Sequence, residues 1–188
     1  MADQRVGRLD VDVGGAVELA VDRDAGACHR IGDGSTAPVR VPGADRGVVE
    51  VPAAALRARA LLTTADFLSI GTNDLSQYTF AADRQCGQLA DLLDPWQPAL
   101  LDLVAACAAA GRAAGKPVGV CGEAAADPRF ALVLAGLGVT SLSMAPRAVP
   151  EVREALAAHT LADCRRLAAE ALAVVDPPAS PLTGVAAT

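Results

Sequence analysis

From residue 47 onward a short apolar run followed by a helix-forming stretch recurs four times, and this repeat constrains the fold more than any other feature. Residues 47–51 (GVVEV) read as a strand stopped by Pro52, and residues 53–62 are rich in the strong helix formers Ala, Leu and Arg. Residues 67–71 (FLSIG) give a second strand, closed by the polar turn Thr72-Asn73-Asp74. Pro98 suits a first helical turn, Leu100, Leu103, Val104 and Cys107 then share one face, and Gly115 is a natural stop. A third strand at 117–121 (PVGVC) leads through a Gly-Glu turn into a helix at 129–137. A fourth at 139–144 (VTSLSM) precedes helices at 150–158 and 161–174. Strand and helix in alternation predict a parallel α/β sheet. The runs read as continuously apolar, the pattern of strands covered on both faces.

The flanks read differently. Residues 1–46 mix Asp, Gly and Arg with β-branched runs at 6–13 and 17–21 and show no helical period. They leave room for a hairpin or two, and no function is assigned to them. Residues 176–188, rich in Pro, Ala and Thr, read as a flexible tail. The expected organisation is therefore an unassigned segment 1–46, an α/β unit 47–175 and a tail.

Composition removes several function classes. Over 188 residues the chain is 52% hydrophobic but only 3% aromatic, so its core must be built from Ala, Val and Leu. Sixteen basic residues against 22 acidic ones give a formal charge of −6, and Lys116 is the only lysine. Nucleic-acid binding needs clustered Lys and Arg, so it is not expected. Five cysteines (Cys28, Cys86, Cys107, Cys121 and Cys164) are odd in number and form no CxxC pair, which argues against a zinc knuckle or a disulfide framework. The sequence begins without an apolar signal core and has no membrane-length apolar run, so a cytoplasmic setting is expected.

Polar residues gather where the predicted strands end, the edge that carries the chemistry of parallel α/β folds. Glu50 interrupts an apolar run; it is either an exposed edge residue or a carboxylate held by a partner or metal. Asp74 opens the segment after the second strand, where a helix cap is the plainer reading. Two carboxylates at neighbouring strand ends would suit Mg²⁺, which takes one or two protein carboxylates plus substrate oxygens. Arg84 reads as a phosphate fork or a surface ion-pair partner. Cys121, between Gly119 and Gly122, stands where backbone can approach a ligand, whereas Cys107 and Cys164 fit buried apolar thiols. Trp96 reads as a core anchor, and His29 and His159 as surface or packing residues.

Three stretches carry a family resemblance: 67–79 (FLSIGTNDLSQYT) with Asp83-Arg84, 115–123 (GKPVGVCGE), and 141–146 (SLSMAP). They resemble the phosphoenolpyruvate-utilising enzymes. The Gln77-Tyr78-Thr79 ending and the Ala-Ala-Asp-Arg stretch look most like enzyme I of the sugar phosphotransferase system, with pyruvate phosphate dikinase and phosphoenolpyruvate synthase as more distant relatives. The likeness runs from about residue 47 to about 173. It implies a partial (βα)₈ TIM barrel, roughly its C-terminal half. By motif, Glu50 and Asp74 resemble the Mg²⁺ ligands, Asn73 and Arg84 the residues that hold the substrate phosphate, and Cys121 the acid that protonates the leaving enolate. The implied activity is transfer of the phosphoryl group from phosphoenolpyruvate to a protein histidine, releasing pyruvate.

The family's phosphorylatable histidine lies in a Gly-Gly-x-Thr-Ser-His type motif, and neither His29 nor His159 stands in one. The first half of the barrel is also missing, and residues 1–46 do not resemble the segment that should precede Glu50. A phosphocarrier protein would therefore be met only through a histidine domain outside these residues. A half-barrel exposes two sheet edges and an apolar interior, so either self-association or coverage by residues 1–46 is expected. A non-catalytic remnant of the family is the competing reading.

Overall fold

The computed structural model describes residues 8–11, 17–20 and 45–174. Its strands are β1 (Arg8–Val11), β2 (Val17–Ala20), β3 (Arg46–Val49), β4 (Phe67–Gly71), β5 (Val118–Cys121) and β6 (Ser141–Met144). They form one sheet in the order β1-β2-β6-β5-β4-β3. The four strands from β3 to β6 are parallel, as the alternating pattern predicts. β1 and β2 form the hairpin for which the first segment left room, and β2 pairs antiparallel with β6. The tail, Cys28 and His29 lie outside the described residues.

The helices start and stop for local reasons. Pro52 opens α1 (Pro52–Leu56), and Arg57 leaves helical geometry before α2 (Ala58–Leu61), so the single helix expected at 53–62 is broken. The expected turn at Thr72 is instead the first turn of α3 (Thr72–Phe80). Pro98 opens α4 (Pro98–Ala114), and Gly115 ends it in the left-handed region at φ 64°. Asp127 caps α5 (Pro128–Leu137) by accepting from two backbone N–H groups. Thr160 and Asp163 form a reciprocal capping box at α7 (Leu161–Leu172), which follows α6 (Val149–Ala158).

One face of the sheet is sealed. Leu68, Ile70, Val118, Val120 and Leu142 are buried in a single core with Leu101, Val104, Cys107 and Phe130 from the helices. Trp96 anchors that core as expected, its ring edge-on to Phe130 at 5.0 Å between centroids. The opposite face is only partly covered: Ser69 and Gly71 of β4 are buried, but Val48 is 45% exposed while its neighbour Val49 is fully buried. β5 and β6 accordingly alternate buried and half-buried residues. This corrects the expectation of continuously apolar strands covered on both sides; Gly, Ser and Cys occupy every second position.

Four parallel strands with connecting helices agree with a piece of a barrel, but the described strands form an open sheet. A barrel would continue with another parallel strand beside β6, and that edge is taken by the antiparallel β2. Within the parallel unit the β6 edge is therefore covered and the β3 edge is not; in the described sheet as a whole the two edge strands are β3 and β1.

Candidate functional site

The register sets which residues share the open face. Ser69 aligns with Gly119 and Ser141, and one row higher Gly71 aligns with Cys121 and Ser143. Glu50 directly follows β3, so it stands at the carboxyl end of that strand. A Cβ added to Gly71 would lie 2.9 Å from Glu50 Cγ and 3.2 Å from its Oε1. The absent side chain is what lets Glu50 lie across the end of β4. Glu50 itself is exposed, so it bears no burial penalty.

The ends of β4 and β5 are fastened together. Thr72 Oγ1 donates to the Cys121 carbonyl at 3.1 Å. Gly122 holds φ 115°, a conformation few other residues adopt, and a Cβ there would meet Thr72 Oγ1 at 2.9 Å and Asn73 Oδ1 at 3.1 Å. Asn73 thus sits against the turn that follows Cys121. Asp74 lies in the first turn of α3, where the unpaired N–H groups favour a carboxylate. Arg84 Nη2 approaches Asp74 Oδ1 at 3.8 Å, with side chains 54% and 38% exposed. Arg84 is therefore a surface ion-pair partner in this structure, and its partner is one of the candidate metal ligands. An exposed pair of this kind contributes only about 0–1 kcal/mol, so an incoming anion can draw the guanidinium away at little cost.

Cys121 differs from the two core thiols. Cys107 and Cys164 are fully inaccessible, and burial pushes each thiol up from 9.0 to about 11. Both are the inert core thiols expected. Cys121 is only partly covered and stands on the open face; its Sγ donates to the Ile70 carbonyl at 3.4 Å. Ser69 Oγ lies 3.7 Å from that sulfur and also accepts from Arg46 Nη2 at 3.1 Å. Sequence reading missed Arg46, Ser69 and Thr72. The period-two spacing of Ser69 and Gly71, Gly119 and Cys121, and Ser141 and Ser143 was the signal that could have found the face they share. The His159 ring contacts the Ala155 carbonyl through Nδ1 at 2.8 Å, in keeping with the surface or packing residue expected.

The structure thus brings Glu50, Asn73, Asp74 and Cys121 to the carboxyl ends of three adjacent parallel strands and ties Arg84 to Asp74. A groove of about 350 Å³ between α1, α2 and α4 lies elsewhere; apart from Leu56 and Arg59 its walls are alanine, and it offers little chemistry. No helix among the described residues is long and apolar enough to cross a membrane.

Four parallel strands with helices, and polar residues gathered at the carboxyl ends of the strands, define the class: an α/β domain, a class whose chemistry is usually carried at that edge. Within that class, the description "PEP-utilising enzyme, PEP-binding domain" matches residues 42–161, and the chain belongs to that family. The phosphoenolpyruvate-protein phosphotransferase of Streptomyces coelicolor is 65% identical over 126 residues, 67% of this chain and 23% of that protein. The multiphosphoryl transfer protein of Xanthomonas campestris is 46% identical over 125 residues, 66% of this chain and 15% of that protein. The phosphoenolpyruvate-protein phosphotransferase of Haemophilus influenzae is 41% identical over 125 residues, 66% of this chain and 22% of that protein. The chain spans less than a quarter of the length of these relatives.

Proposed function

We propose that residues 46–123 carry the phosphoenolpyruvate and Mg²⁺ half-site of an enzyme I-like phosphotransferase, which moves a phosphoryl group from phosphoenolpyruvate to a protein histidine and releases pyruvate. The observation that carries this reading is the convergence of Glu50, Asn73, Asp74 and Cys121 on one rim, with Arg84 paired to Asp74. Family membership supports the substrate class.

The donor set suits a hard divalent ion. Glu50 and Asp74 offer carboxylate oxygens from adjoining strand ends, and the space over Gly71 that receives Glu50 would be filled by any side chain. Among the described residues no three His, Cys, Asp or Glu groups are close enough together to hold a metal ion by themselves, so these two carboxylates would hold it with substrate and water completing its shell. When bound, Mg²⁺ supplies neutralisation of the phosphoryl oxygens.

The chain's own residues do the rest. Arg84 turns its guanidinium from Asp74 to the phosphate, and the Asn73 amide donates to the same group. Breaking the bond between phosphorus and the enol oxygen passes the phosphoryl group to the histidine nitrogen and leaves the enolate of pyruvate. Its terminal carbon takes the proton of the Cys121 thiol, and water returns a proton to the sulfur. An ordinary thiol is still mostly protonated at neutral pH and can serve as that acid. The histidine and its phosphocarrier partner belong to parts of a longer assembly, so the isolated chain does not complete the transfer. Self-association would cover the bare β3 edge.

Calorimetric titration with phosphoenolpyruvate, with and without Mg²⁺, tests the reading. Metal-dependent heat at millimolar ligand is expected. Absence of heat in both arms would overturn it and leave a non-catalytic remnant. A second test needs no phosphoryl acceptor: with Mg²⁺ in deuterated water, Cys121 should catalyse exchange of the pyruvate methyl protons, read by NMR.

A further inference from the structure

Arg46 and Ser69 lie outside the residues assigned so far, yet both end at Cys121. Arg46 opens β3 and Ser69 stands mid-β4 on the same open face. Among the described residues Arg46 makes no ion pair; its guanidinium spends Nη2 on Ser69 Oγ at 3.1 Å. Ser69 is 8% exposed, and its hydroxyl also reaches Cys121 Sγ at 3.7 Å.

The direction of these bonds is fixed by what each group can do. A guanidinium only donates, so the serine oxygen must accept from Arg46. The single hydroxyl proton is then left for the sulfur. The thiol in turn points its own proton at the Ile70 carbonyl. The chain therefore runs one way: Arg46 N–H to Ser69 O, Ser69 O–H to Cys121 S, Cys121 S–H to Ile70 O. Gly119 stands between Ser69 and Ser141 on this row and offers no side chain that could displace the serine hydroxyl from the sulfur.

We propose that Ser69, held in direction by Arg46, is the positioning residue of Cys121: it aims the sulfur and stabilises the thiolate left when the proton departs. The proposal rests on the proton-donor role given to Cys121 above. When the thiol surrenders its proton to carbon, the Ser69 hydroxyl becomes a donor to an anion, and the guanidinium behind it polarises the bond further. Water then reprotonates the sulfur, so no other reactant is needed. Arg46 and Ser69 touch neither substrate nor metal in this scheme. They act through the cysteine.

The test uses the full chain with Ser69→Ala, Ser69→Thr and Arg46→Met, and two readouts. The first is the rate of Cys121 alkylation by iodoacetamide at neutral pH, followed by mass spectrometry of its peptide. Losing a hydrogen bond to a charged sulfur should slow Ser69→Ala by about tenfold, and losing the polarising cation should slow Arg46→Met by a few-fold. Ser69→Thr, which keeps the hydroxyl, should recover most of the rate. The second is pyruvate proton exchange, where kcat should fall in the same order with KM unchanged. Arg46 is exposed, so its variant remains informative if the serine variants fold poorly. Unchanged alkylation in both Ser69→Ala and Arg46→Met overturns the relay without touching the assignment of Cys121. Altered alkylation with exchange indifferent to Cys121→Ala overturns the assignment instead. A fall in exchange through KM alone would make Arg46 a substrate-binding group and the proposal wrong.

Discussion

The same strands present two unlike faces. Toward the helices, Leu68, Ile70, Val118, Val120 and Leu142 are buried to within 1%. On the reverse side, the intervening positions hold Ser69, Gly71, Gly119, Cys121, Ser141 and Ser143, and Val48 and Arg46 meet solvent. The sealed face gains its stability from apolar area removed from water, whereas the open face forgoes that gain to keep hydrogen-bonding groups and space at the strand ends. Fold and chemistry are thus divided between alternate residues, and substitutions on one face should leave the other's property nearly untouched.

The largest expected effect is on the sealed side. Phe130→Ala removes a fully buried ring and its contact with Trp96, and should lower unfolding free energy by about 4 kcal/mol, read from denaturant melts. Ser143→Ala on the open face should change it by less than about 0.5 kcal/mol. Comparable losses would break the division. Next, Cys121→Ala should slow pyruvate proton exchange by about a hundredfold while phosphoenolpyruvate still binds. Equal loss of binding would assign the thiol to ligand capture. Smaller still, Glu50→Gln or Asp74→Asn should remove the metal-dependent part of phosphoenolpyruvate binding, roughly tenfold in Kd by calorimetry, with little change in melting.

A separate effect, seen only at alkaline pH, concerns the core thiols. Cys107 and Cys164 keep their protons in the folded chain up to about pH 11, against 9.0 ordinarily. The unfolded chain loses those protons first, so stability should fall as pH rises from 9 toward 11 and then level off. Replacing both with Ala should flatten that decline. A slope that survives the double replacement would place its origin elsewhere. Native alkylation should also reach Cys121 well before either core thiol.

Much of the parallel framework was legible because local chemistry writes it. Pro98 and Gly115 stand at the ends of their helix, and the 67–71 strand matches residue for residue. The alternation within β5 and β6 was overlooked because glycine, serine and cysteine are small and uncharged and do not interrupt an apolar run as a charged residue does, although they leave one side of the strand nearly bare. The pairing of Val17 with Met144 could not be read at all. It joins residues far apart in the chain, and nothing in either segment's own period names its partner. Glu50, Asp74, Arg84 and Cys121 were singled out by their residue types near predicted strand ends, and motif likeness added their proposed roles together with Asn73. Arg46 was missed because a lone arginine opening a strand looks like any solvated charge until Ser69 is seen beneath it.

The antiparallel cover on β6 makes the sheet lopsided, with a hairpin beyond one side of the parallel unit and the other side able to accept a newcomer directly at β3. A strand added there would come to rest beside Glu50, at the corner proposed above for the ligand. Crowding of one chain by another and capture of a small anion would then draw on the same few ångströms of space, and the concentration of the protein would itself tune how readily the rim fills.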